Sequence, residues 1–79
     1  MIYYVYVIRS EKDNRLYKGL TDDLQKKIAQ HNMGENKETK GYRPWVLIYS
    51  KVFISRVEAK DFEKHVKSEE GVDFLKVNK

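Results

Sequence analysis

The chain has 79 residues, 41% of them hydrophobic and 35% charged, with no cysteine and a net charge of +4. That length supports one modest core without a separate regulatory module, and the composition excludes both a membrane-spanning and a disordered chain. The missing cysteines remove disulfides and thiolate metal sites, and two histidines outside any H-x-x-x-H pair are too few for zinc without carboxylates.

The apolar stretch from Ile2 to Ile8 is too short to span a bilayer, and no small-residue cleavage site accompanies it. A cytoplasmic protein is expected, with one domain over residues 1–79, no membrane contact and no small-molecule cofactor. The same stretch is β-branched or aromatic at nearly every position, which predicts a strand buried on both faces. Lys12-Asp13-Asn14 supplies turn chemistry, and Leu16 to Leu20 returns as the second arm of a hairpin. Gly19 within that arm predicts a bend or a close backbone approach.

A helix is expected to open at Asp22, with Gln25 reaching back from the third helical position. Leu24 and Ile28 give it an apolar stripe, and Gly34 suits the position past its end. Gly34 to Pro44 is polar and basic, and reads as a mobile loop. Trp45 to Phe53 predicts a third strand. Ser55 and Glu58 form a second capping box, opening a helix to about Lys67. Ser68-Glu69-Glu70 begins a last helical turn or two, with Val72, Phe74, Leu75 and Val77 available for packing. The expected order is ββαβαα.

Several residues break these patterns. Positions 24, 27, 28 and 31 share one helical face, yet Lys27 and His31 interrupt its apolar stripe. As an i, i+4 pair they project near each other, roughly 6 Å apart. Taken singly, a lysine extending its stem to water and a histidine flanking the core are the better account of the two. Glu63 occupies the fourth place of a stripe made by Ala59, Phe62 and Val66. A partly buried carboxylate needs a cation, a metal or hydrogen-bond donors. A salt bridge to Lys27 or another base, and a hard divalent cation such as Mg²⁺, both remain open.

Six tyrosines is a high number for this length. On a strand, Tyr4 and Tyr6 share one face while Tyr3 and Val5 share the other, and a hairpin can bring Tyr17 beside the first strand. A phenol can donate to a phosphate oxygen, or activate water where its pKa is lowered. Plain strand aromatics are the better account of Tyr3 and Tyr49. Lys26, Lys27, Lys37, Lys40 and Arg43 gather in the middle third with Tyr42 among them, a pattern compatible with a phosphate-tracking surface or a solvated face.

Tyr4-Val5-Tyr6, then Tyr17-Lys18-Gly19-Leu20-Thr21, Asp23-Leu24 and His31-Asn32 together resemble the GIY-YIG nuclease family. Arg43-Pro44, the run from Ala59 to Glu63-Lys64, and Lys67-Ser68 through Gly71 to Phe74-Leu75-Lys76 extend the resemblance over nearly the whole chain. Each triplet is a weak motif; their order and spacing are specific, and they look most like the small single-domain bacterial members. The resemblance implies an α+β fold with a small three-stranded antiparallel sheet flanked by helices. It also implies Mg²⁺-dependent hydrolysis of DNA phosphodiester bonds, with Mn²⁺ as a substitute.

Carried onto this sequence, Tyr6 and Tyr17 would border the scissile phosphate, one orienting or activating water. His31 would support that network, and Glu63 would hold the metal. Lys27 falls where the family usually has arginine, and a point charge clamps phosphate less well than a planar fork. Lys18 replaces the usual apolar centre of the second triplet and adds positive charge. Together with Lys37, Lys40 and Arg43, Lys18 would contact the nucleic-acid backbone. Asn78 lies too near the C-terminus for the late asparagine of larger members.

Three functions follow. A weak or structure-selective DNA endonuclease uses Tyr6, Tyr17, Lys27, His31 and Glu63. A catalytically attenuated nucleic-acid-binding module keeps the scaffold and the basic loop from Lys37 to Arg43. A protein-interaction domain would instead present Trp45 and the tail from Val72 to Val77.

Overall fold

The computed structural model describes residues 1–67. Its central strand, β1 (Tyr3–Ser10), pairs antiparallel with β2 (Leu16–Thr21) on one side and β3 (Trp45–Phe53) on the other. Helices α1 (Leu24–Asn32) and α2 (Arg56–Lys67) cover opposite faces of this sheet. The class is α+β with order ββαβα. The expected further helix from Ser68 lies outside the described residues.

Alternation along β1 feeds two cores. Val5 and Val7 pack with Ala59 and Val66 of α2, joined by Tyr3, Leu16, Leu20, Tyr49, Phe53 and Phe62. Tyr6 and Ile8 point the other way, toward Trp45, Tyr17, Tyr42 and the Leu24–Ile28 stripe of α1. Residues at alternate strand positions face opposite sides, which is why a nearly continuous apolar run suits the middle strand. β1 extends past Ile8 because Arg9 and Ser10 still pair with Leu16, Val46 and Trp45.

Ser10 organises the hairpin turn. Its hydroxyl accepts from the Lys12 and Asp13 amides at 3.0 and 3.3 Å and donates to the Tyr42 carbonyl at 2.6 Å. Asn14 takes a left-handed φ of 66°, a conformation asparagine tolerates better than most residues.

The first helix starts one residue later than expected. Asp23 is the N-cap, its carboxylate accepting from the Lys26 amide at 3.1 Å, while Thr21 Oγ1 accepts from the Asp23 amide at 3.1 Å. That threonine turn takes the cap from Asp22, leaving it exposed. Gly34 follows the helix with φ of 81°, as a C-terminal glycine should. In the second helix the Ser55 hydroxyl accepts from the Glu58 amide at 3.3 Å, as the capping box predicts.

The segment expected to be a mobile loop is tied to the body. Asn36 accepts from the Glu38 amide at 2.8 Å through its side chain and from the Thr39 and Lys40 amides through its carbonyl. A single 3₁₀ turn, Lys40–Tyr42, then leads into β3. Thr39 is 1% exposed, and its carbonyl accepts from the Trp45 indole at 2.9 Å. Side-chain hydrogen bonds of this kind leave no hydrophobic periodicity in the sequence.

Candidate active site

His31 is fully buried near the end of α1, between two tyrosines. Tyr6 Oη lies 3.0 Å from His31 Nε2, and the Tyr17 ring meets the imidazole edge-on at a centroid distance of 5.0 Å. Register explains the meeting: Tyr17 pairs with Ile8 and Gly19 with Tyr6, so all four side-chain positions share the α1 face. Gly19 is required there by close approach. A Cβ at that position would stand 2.5 Å from Tyr6 Oη.

His31 Nδ1 lies 2.8 Å from Thr39 Oγ1, and Thr39 Oγ1 lies 3.4 Å from the Asn36 carbonyl. One assignment gives each proton in this chain an acceptor. Tyr6 donates to Nε2, Nδ1–H donates to Thr39, and Thr39 donates to the Asn36 carbonyl. The direction is inferred from satisfying the network, since a tautomer is assigned by its partners.

Burial, followed by the charge of Lys27, holds His31 below the ordinary histidine pKa, so it is neutral near pH 7. Burial, then Tyr17 and Glu63, pushes the Tyr6 phenol well above its usual range. The idea of a tyrosine activating water through a lowered pKa therefore fails for Tyr6. Desolvation disfavours the phenolate.

Lys27 and His31 line one groove of about 410 Å³ with Gln30, Glu35, Asn36 and Lys37. Their i, i+4 adjacency thus becomes a shared wall, with Lys37 joining from the following segment. Lys40 and Arg43 are not part of it. They border a second concavity with Lys12 and Asn32. Lys18 pairs with Val7 and so faces α2, on the opposite side of the sheet from Tyr6, Tyr17 and His31. Burial, then the charge of Lys67, lowers its pKa.

Glu63 stands on α2, its side chain 21% exposed and 3.4 Å from Lys67, with its charge felt at the Tyr6 hydroxyl. The salt-bridge reading is met by Lys67, one turn along, rather than by Lys27. Among the described residues, no group of three or more His, Cys, Asp or Glu could hold a metal. Both ring nitrogens of His31 are engaged, so a hard cation would rest on carboxylates such as Glu63. A single accessible carboxylate fits Mg²⁺, which retains waters and takes its remaining oxygens from substrate phosphates.

The profile of the GIY-YIG catalytic domain matches residues 2–74. The chain belongs to the GIY-YIG family. Similar chains include a UPF0213 protein of Staphylococcus haemolyticus, 43% identical over 67 residues that span 84% of this chain and 80% of that protein. A UPF0213 protein of Oceanobacillus iheyensis is 34% identical over 76 residues, covering 95% of this chain and 87% of its own length. The solution NMR structure of the UPF0213 protein of Bacillus halodurans matches with a TM-score of 0.61 and 33% identity, covering 100% of this chain and 86% of that one. No helix among the described residues is long and apolar enough to cross a membrane.

Two residues near His31 receive no role from the sequence reading. Asn32 clasps the start of β3, accepting from the Trp45 amide at 2.6 Å and donating to its carbonyl at 3.1 Å. Its place beside His31 was the available signal. Thr39 had none, standing in a polar stretch without periodicity. Trp45, which the interaction-domain alternative would place at a partner surface, is 4% exposed and packs inside the α1-side core. Its indole needs the Thr39 carbonyl, so burial there is satisfied and the interaction-surface reading loses its anchor.

Proposed function

We propose that this chain is a divalent-metal-dependent DNA endonuclease of weak or structure-selective activity, with residues 1–79 forming one nuclease domain. The observation that supports it most is the convergence of two tyrosines on a buried, neutral imidazole beside a groove lined by Lys27 and Lys37. Tyr17, only partly buried, is the phenol with access to substrate and orients the attacking water. His31 is the group able to accept a proton near neutral pH. Tyr6, kept protonated, links it to the reaction. Its oxygen takes a proton from the water side as its own passes to Nε2.

Lys27 and Lys37 neutralise the phosphate in the groove, and Lys40, Arg43 and Lys18 contact the backbone farther out. Glu63 would hold Mg²⁺, or Mn²⁺ in its place; when bound, the ion polarises a phosphoryl oxygen and steadies the leaving oxygen. Cleavage of labelled single-stranded, duplex and branched DNA in each metal, with Glu63→Ala alongside, tests this reading. Metal-dependent cutting lost in the variant supports it. Cutting that survives Glu63→Ala in a clean preparation overturns it.

A binding module is the second reading, favoured by Lys27 in place of arginine and by a Tyr6 hydroxyl turned inward at 1% exposure. It requires DNA binding that weakens linearly with the logarithm of salt concentration, without cleavage. Binding indifferent to salt would exclude it.

A further inference from the structure

We propose that Thr39 is the positioning residue of this site, fixing His31 as the tautomer protonated on Nδ1. Nε2 is then bare, and Tyr6 can only donate to it. The catalytic consequence rests on the endonuclease reading; the tautomer itself does not.

Thr39 is held from three directions. Its amide donates to the Asn36 carbonyl at 3.2 Å, its carbonyl accepts from the Trp45 indole at 2.9 Å, and its hydroxyl meets His31 Nδ1 at 2.8 Å. Being 1% exposed, it has no water to substitute for these partners. The opposite tautomer would have Thr39 donate to Nδ1 and Nε2–H donate to Tyr6. The Tyr6 proton would then have no acceptor among the described contacts, at a hydroxyl crowded by Gly19. An unsatisfied buried donor is the costlier arrangement.

The tautomer sets what the two phenols can do. With Nε2 bare, the Tyr6 hydroxyl donates its hydrogen to His31 and is left as an acceptor. Reversed, Tyr6 receives from His31, and His31 has no basic nitrogen facing the reaction. A histidine ring nitrogen is commonly assigned by the hydrogen bond at the other one. Here that bond comes from a threonine in the segment after α1. The same segment carries Lys37 into the groove, so one stretch of backbone sets both the imidazole and a phosphate-facing charge.

The test is ¹⁵N NMR of the imidazoles in the full chain, assigned by loss of signal in His31→Gln, with DNA cleavage measured in parallel. The wild type should show a protonated Nδ1 and a bare Nε2 on His31. Thr39→Val removes the hydroxyl at similar volume. It should mix or reverse the tautomer and lower kcat on the order of tenfold or more with KM little changed. Thr39→Ser restores the hydroxyl and should restore both readings. A bare Nδ1 in the wild type overturns the proposal and needs no variant to fold. A folded Thr39→Val that keeps the wild-type tautomer also overturns it. A Thr39-dependent tautomer in a protein that cleaves no DNA upholds the assignment of Thr39 and removes the endonuclease reading instead.

Discussion

The Tyr6 ring lies directly over Gly19, so close that a methyl group at residue 19 would stand 2.5 Å from the hydroxyl oxygen and 2.7 Å from Cζ. Tyr6 cannot yield, because it is buried and bonded to His31. Gly19→Ala should therefore destabilise the fold by about 1–3 kcal/mol and displace the Tyr6 hydroxyl from His31. Urea denaturation gives the first quantity, and the His31 imidazole resonances report the second. Unchanged stability would mean that the ring has room the packing does not show.

Stability should respond to pH at two ends. Burial and Lys27 hold His31 below its ordinary value near 6.5. As pH falls through that value, the unfolded chain takes up a proton that the folded chain refuses, so this contribution is complete above pH 6.5 and declines below it. Tyr6 acts in the opposite sense. Its raised pKa means the unfolded chain loses the phenolic proton first, so stability is complete below the ordinary value of 10 and declines above it. Denaturation midpoints from pH 5 to 8 should show the acid slope, and His31→Gln should flatten it.

Glu63 separates function from stability. Its pairing with a half-exposed Lys67 is a part-exposed i, i+4 contact, worth about 1 kcal/mol or less. Glu63→Gln should leave the unfolding midpoint nearly unchanged while lowering metal-dependent cleavage about 100-fold or more, a loss of ~2.7 kcal/mol of transition-state stabilisation. Equal loss of stability and activity would mark Glu63 as a structural residue.

Lys27→Arg tests the family departure from the other direction. A guanidinium in the groove beside His31 can contact two phosphate oxygens at once, where the ammonium is a point charge. Cleavage should rise about tenfold, ~1.4 kcal/mol in the barrier, with little change in the salt dependence of binding because the charge is conserved. A single-turnover assay isolates the chemical step. No gain would indicate that Lys27 serves binding alone.

Strand and helix periodicity made most of the fold legible. Tyr3–Ser10, Trp45–Phe53 and Arg56–Lys67 lie within a residue or two of where hydrophobic pattern and capping chemistry put them. The grouping of Tyr6, Tyr17, Lys27 and His31 was legible through the family resemblance; periodicity alone marked only Lys27 and His31, as interruptions of an apolar helical stripe. Thr39 and the inward docking of Trp45 were not legible. They depend on hydrogen bonds between residues separated by a polar stretch, and such bonds follow no period. Lys18 falls on the far face of the sheet from the imidazole, a separation visible only once the strand register is known.

β1 belongs to both cores at once, giving Val5 and Val7 to one and Tyr6 and Ile8 to the other. One strand therefore carries the packing partners of both helices. A change beneath α2 at Val66 or Phe62 bears on the same backbone that presents Tyr6 to His31, so the two faces of the sheet are linked through packing rather than through a chain of polar contacts.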